Sequence, residues 1–297
     1  VRKRSEAITP PDVLATLLAA ASERAVLIGG QALGFWITHH HLALPAGIVA
    51  ISNDADFLAR SASDRGLVTT FAHVLHGKAC FPPERSLTAL VGQAVRELPN
   101  DEDLNVDVLF SVFGLDANAV WRRARTMGDG ELTFQVMHPL DVLHSRLANL
   151  YKLREKQNDK GILQLRMSID VAREYLREQA ALRSVEVDEH GVRSLLQPLV
   201  TEIERLAIHD AGRKVAKRYG VHVADAIDPA LIAAEAFWTK KWPTLQTLMS
   251  PEYAQRFTPP TAFISLTIDT STQAFTDIGR NVELARLIEC AAAHLSE

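Results

Sequence analysis

Cysteine is nearly missing from this chain of 297 residues, with two in all, Cys80 and Cys290, far apart in sequence. That excludes a disulfide framework and a Cys-built zinc site, and it favours a reducing compartment, so the expectation is a cytoplasmic protein. Long hydrophobic runs are absent as well. No stretch approaches 18 consecutive apolar residues, which leaves no membrane-spanning segment to expect. Neither charge sign dominates: 32 Lys plus Arg stand against 36 Asp plus Glu, a net charge of -4. A chain that grips duplex nucleic acid over its whole surface is thereby excluded, while a local basic groove is not. There is no internal repeat and no low-complexity segment. What is present is ordinary globular composition, 47% hydrophobic and 23% charged with 15 Gly and 13 Pro, in a length that suggests two domains.

The N-terminus has a superficial signal-peptide texture, Val1-Arg2-Lys3-Arg4 before the apolar residues 13–21. Pro10, Pro11 and Asp12 interrupt that approach and Thr16 sits inside the apolar part, so the segment reads as a first helix opened by proline. Ala25-Val26-Leu27-Ile28 reads as a buried strand, Gly29-Gly30 as a turn, and residues 31–37 as a helix. Residues 39–51 read as a loop. Further strands are expected at 54–59, 87–98, 104–110 and 132–137, and helices at 64–76 and 117–125. After His138-Pro139 the period turns helical, carried by Leu140, Leu143, Leu147 and Leu150, and strand signals nearly vanish apart from a weak one at 261–267. The expected fold is therefore α+β: a mixed α/β domain with several sheet strands over residues 1–138, then a mainly helical one over 139–297.

Three acidic residues carry the chemistry. Residues two apart in a strand share a face, so Asp54 and Asp56 project together. In Asn105-Val106-Asp107-Val108-Leu109-Phe110 the valines and Phe110 share one face and Asp107 takes the other, where a neighbouring strand would bring it beside the pair. Three converging carboxylates repel one another, and hard oxygen ligands suit Mg2+ or Mn2+ as the compensating cation. Gly29-Gly30 before a helix is a matching phosphate site, because glycine admits close backbone approach and a helix N-terminus offers free N–H groups.

With these residues in hand, Leu27-Ile28-Gly29-Gly30-Gln31-Ala32-Leu33, Ser52-Asn53-Asp54-Ala55-Asp56-Phe57-Leu58 and Asn105-Val106-Asp107-Val108-Leu109 resemble the DNA polymerase beta nucleotidyltransferase superfamily. The Gly-Gly-x-Ala-Leu turn and the serine before the paired aspartates look most like the AbiEii-type nucleotidyltransferase toxins of abortive-infection and toxin–antitoxin systems. The likeness spans roughly residues 10–165 and adds to the expected fold that the sheet is mixed. It implies that Asp54, Asp56 and Asp107 are catalytic and hold the metal, with Asp107 activating an acceptor hydroxyl. It further implies a nucleoside triphosphate such as ATP held by Gly29, Gly30, Gln31 and Ser52, with Arg154, Lys156 and Asp159 near the nucleotide. Asn158 stands where the family often has lysine, and Ile162 where a second aspartate is common. The implied acceptor is transfer RNA or a protein, with a cognate antitoxin as a possible partner. Nucleotidylation of a small molecule of the aminoglycoside type, and a catalytically silent nucleotide- or partner-binding module, are the alternatives.

Other motifs have blander readings. His39-His40-His41 suggests metal, but adjacent residues cannot all face one ion and no well-spaced Cys or carboxylate follows, so a polar loop over the site entrance is expected. Lys152, Lys156 and Lys160 recur every fourth residue and would form a basic stripe on a continuous helix, extended by Arg166 into a groove that favours RNA. Gly161 is a candidate end for that helix. Trp36, Trp121, Trp238 and Trp242 are expected in the core.

Overall fold

The architecture follows from where apolar residues alternate and where they recur every three or four positions. The computed structural model describes residues 5–46, 48, 51–99, 101–128, 132–183, 196–232 and 240–249. Strands are β1 (Ser5–Glu6), β2 (Ala25–Ile28), β3 (Ala55–Ala59), β4 (Lys78–Cys80), β5 (Leu90–Glu97), β6 (Glu102–Leu109), β7 (Arg125–Gly128) and β8 (Thr133–Val136). Helices are α1 (Pro11–Ala21), α2 (Gly29–His39), α3 (Arg65–Leu75), α4 (Ala117–Arg123), α5 (Pro139–Lys152), α6 (Asp159–Arg183), α7 (Leu196–Ile208), α8 (Asp210–Tyr219), α9 (Pro229–Ile232) and α10 (Trp242–Met249). All these residues lie within one compact unit that reaches Tyr253. The weak strand signal at 261–267, Cys290 and Trp238 fall outside the described residues.

The sheet is mixed, in the order β4-β5-β6-β3-β2-β8-β7. β3 runs parallel to β6 with Asp56 opposite Asp107, and antiparallel to β2 with Ile28 opposite Asp56. β5 lies antiparallel on the other edge of β6, with Gln93 opposite Asp107. β1 pairs with Glu102–Asp103 of β6, in line with β3. Sequence periodicity misses three of these strands. β1 and β4 are two and three residues long, too short for any period. β7 starts at Arg125, where a helix was expected to end, and its mostly exposed residues carry no apolar alternation.

Side-chain alternation divides the sheet's faces. Phe57 packs on Phe71 of α3 with ring centroids 4.6 Å apart, so Asp56 projects to the opposite face, as does Asp107 across the parallel register. Phe57, Phe71, Leu27, Leu58, Val106 and Val108 are buried, each stabilising the fold by roughly 1.5–3 kcal/mol. On the aspartate side α2 contacts α5 and α6, and the Trp36 indole N–H donates to the Met137 carbonyl at 2.8 Å. Trp36 and Trp242 are buried and Trp121 half-buried, its N–H on the Ala59 carbonyl at 3.3 Å.

The first helix after residue 138 starts where its sequence signal puts it. His138 caps α5, its ring nitrogen accepting from the Leu140 N–H at 3.2 Å with Pro139 at the first turn. The lysine stripe does not form. α5 stops at Lys152, a short 3-10 turn occupies Arg154–Lys156, and α6 begins afresh at Asp159. Asn158 explains the break: its side-chain oxygen accepts the Gly161 N–H at 2.9 Å, capping α6, so Gly161 opens a helix instead of ending one. Arg123 joins the sheet region to α7, with both guanidinium nitrogens on the Glu202 carboxylate at 2.9 Å and an ion pair to Asp141.

Candidate active site

Gly29 and Gly30 are the first residues of α2, directly after β2, and both are required by close approach. Gly29 has φ +70°, and a Cβ there would lie 1.9 Å from Asp56 Oδ2. A Cβ on Gly30 would lie 2.2 Å from the Ser52 Oγ. The glycines thus let a helix N-terminus sit against Ser52 and Asp56, on either side of Asp54 in the acidic motif. No side chain caps α2, so its first N–H groups stand unengaged by any cap, beside a carboxylate cluster.

The carboxylates of Asp54, Asp56 and Asp107 converge, one oxygen of each lying within 4.8 Å of the others. Asp54 follows the bend after Ser52, whose hydroxyl donates to Asp54 Oδ1 at 2.8 Å. Asp107 is held by two amides, Gln93 Nε2 at 2.9 Å and Asn105 Nδ2 at 2.8 Å, both on Oδ1. They leave Oδ2 as the oxygen they do not engage. Gln31 reaches back to the Ser52 carbonyl at 3.4 Å, a long bond that ties α2 to this segment.

Burial, then Asp54, then Asp107 push the Asp56 carboxyl up to about 8. Burial also raises Asp107, against the pull of the Gln93 and Asn105 amides. Two cations moderate Asp56, Arg146 and Lys156, and they are outweighed. Lys156 was among the expected nucleotide-binding residues; it is exposed, as are Arg154 in the same turn and Asp159 at the start of α6. No contact places Arg154 or Asp159 on the aspartates.

Arg146 is the residue that sequence reading missed. It is buried on α5, and its field acts on Asp56 and Asp54. Its Nη1 donates to Gln164 Oε1 at 3.1 Å, and Gln164 Nε2 donates to the Ile51 carbonyl at 2.9 Å, just before Ser52. The available signal was a charge inside the apolar period Leu143, Leu147, Leu150, which marks a cation turned inward.

Three clustered carboxylates with oxygen atoms to spare form the hard donor set that magnesium or manganese takes, and their mutual repulsion is the energy a cation relieves. A pH dependence follows. In the metal-free protein Asp56 keeps a proton at neutral pH that the unfolded chain releases near 3.8, so the folded state binds more protons from about pH 4 to about pH 8. Stability from this group therefore falls as pH rises through that window. A magnesium ion taken up by these oxygens would have to displace the proton, so its affinity is expected to rise by up to about tenfold per pH unit below about pH 8 and to level off above. Calorimetric titrations between about pH 6 and about pH 9 check this, and a flat profile would refute it.

A scan against protein-family models finds no match to this chain, and a search of curated proteins finds none either.

Proposed function

We propose that this chain is a magnesium-dependent nucleotidyltransferase, with the sheet region as its nucleotidyltransferase core and the helices after residue 138 as a second, mainly helical part. The observation that carries the reading is the convergence of Asp54, Asp56 and Asp107 against the uncapped glycine start of α2. Phosphate needs N–H donors and counter-charge; the start of α2 offers the donors, and a cation held by the three carboxylates would supply the charge. Bound divalent metal would supply charge neutralisation on the phosphates and on the leaving oxygen, held by the three aspartates.

The chain's own residues do the rest. In the reaction the acceptor hydroxyl oxygen bonds to the α-phosphorus of a nucleoside triphosphate, and the bond from that phosphorus to the bridging oxygen breaks, releasing pyrophosphate. Asp107 takes the hydroxyl proton; its raised proton affinity, with Oδ2 outside the two amide bonds, suits that role. The Gly29–Gly30 turn holds the triphosphate, Lys156 adds charge at the rim, and Arg146 with Gln164 keeps the Ser52–Asp56 segment in place.

A polyanionic acceptor, transfer RNA in the AbiEii-like reading, is favoured by one feature of the helical part. A cleft of about 440 Å3 is lined by Lys217, Arg218 and Lys214, the last paired with Asp210, among Leu150, Tyr151, Val215 and Tyr219, and Arg218 bonds Gln157, the residue after Lys156. Such a surface suits phosphate and repels a cationic aminoglycoside. The test incubates wild type and Asp56→Ala with each α-labelled nucleoside triphosphate, magnesium, total RNA and cell extract. Label in an RNA band with wild type alone supports this reading. Label in a protein band moves the acceptor to a protein, and an absence of label in any band or small-molecule fraction overturns the activity.

A further inference from the structure

The histidine run lies at the far end of α2 from the glycines, and the structure gives it the carboxylate partner that the local sequence lacks. His39 is the last residue of α2, and His40 follows as its cap, with the chain then turning at His41 (φ 52°). Only His39 and His40 are brought together with Glu178 of α6, which packs against α2; one imidazole nitrogen of each and one carboxylate oxygen all lie within 4.8 Å of one another. Two side-chain atoms of these residues are buried without any hydrogen-bond partner, His40 Nε2 and Glu178 Oε2. A buried polar atom left unpaired costs about 1–3 kcal/mol, and two such atoms on residues of one cluster ask for a common partner.

The rings are held in place by their own helix. Phe35 stacks on His39 and Trp36 on His40, each pair one helical turn apart, and Trp36 is anchored by its bond to Met137. His39 is exposed, which gives an ion a route in from solvent. Two imidazole nitrogens and one carboxylate oxygen suit a borderline transition metal of the zinc class, with a coordination position left for water. This donor set differs from the all-oxygen aspartate cluster, so the two sites select different ions.

We propose that His39, His40 and Glu178 form a second metal site, for a zinc-class divalent cation, that fastens the C-terminal end of α2 to α6. The assignment stands apart from the transferase reading and survives its failure. An ion here ties down the helix whose first turn carries Gly29 and Gly30. The test is equilibrium dialysis of untagged protein with zinc, with magnesium at millimolar concentration to occupy the aspartates. Wild type and Asp56→Asn are expected to hold zinc, whereas His40→Ala and Glu178→Gln weaken it by about 100-fold or more. Saturating zinc is expected to raise the wild-type melting temperature by about 5–10 °C. Cobalt(II) in place of zinc should give a visible absorption that Glu178→Gln alters, which keeps the test decisive where His40→Ala fails to fold. Zinc binding lost in Asp56→Asn, or equal in Glu178→Gln and wild type, would overturn the site.

Discussion

Replacing Asp56 by asparagine is expected to remove nucleotidyl transfer and, in the same protein, to raise the melting temperature of the magnesium-free chain. Asp56 lies in β3 beside the two other carboxylates, and burial with their repulsion outweighs the attraction of Arg146 and Lys156. Its charge is thus unfavourable to the fold unless a cation is bound. Asparagine keeps the shape, carries no charge, and can donate to a neighbouring carboxylate. The expected gain is about 1–2 kcal/mol, or about 3–6 °C for a chain of this size, measured by thermal melts in chelator. In the proposed transferase, activity should fall by about 1,000-fold or more, equivalent to about 4 kcal/mol of barrier, because one of the carboxylates that would hold the metal is lost. A melting temperature several degrees lower would instead assign Asp56 a structural role.

Gly29→Ala should act in the opposite direction on stability and in the same direction on function. The added Cβ would approach Asp56 Oδ2 at 1.9 Å, Cγ at 2.7 Å and Cβ at 2.8 Å. Rotation of the carboxylate relieves the first contact, but the Asp56 Cβ belongs to a central strand and cannot move alone. Alanine at φ +70° adds about 1 kcal/mol of backbone strain. The expected loss is about 2–4 kcal/mol, with the melting temperature down by about 5–15 °C and magnesium binding lost as α2 shifts off β3. Gly34→Ala in the same helix is the control. Its nearest neighbour would be Ile51 Cγ2 at 3.6 Å, an ordinary contact, so helix propensity makes that change neutral or stabilising by up to about 1 kcal/mol. Equal melting temperatures for the two variants would refute the close-approach argument.

Much of the candidate site is legible in the sequence because strand alternation is a local rule. It puts Asp56 away from Phe57, and Asp107 away from Val106 and Val108, with glycines at a strand end where a helix begins; Asp54 lies one residue before β3, in a bend, and is placed there by the Ser52 hydroxyl instead of by alternation. The lysine stripe failed for an equally local reason that spacing does not contain: Asn158 caps a new helix, and a cap outranks a four-residue repeat when it breaks the backbone. Arg146 was hidden in the opposite way, since its helix was clear but the face it turns inward depends on what α5 packs against. Glu178 was out of reach of any motif, because it lies in a different helix far along the chain from His39 and His40.

By itself the sequence determined a region of strands and helices followed by helices, the glycine entry to α2, and the acidic positions, all of which follow from periods of two and 3.6 and from residues with one strong conformational preference. Tertiary structure alone decided that Asp56 stands opposite Asp107 in a parallel pair, that Arg146 supplies the buried counter-charge, and that α6 brings Glu178 to the end of α2. Each of these joins residues whose separation along the chain says nothing about their separation in space. Strand register and helix packing are set by the burial of whole faces, and that burial is a property of the assembled layers.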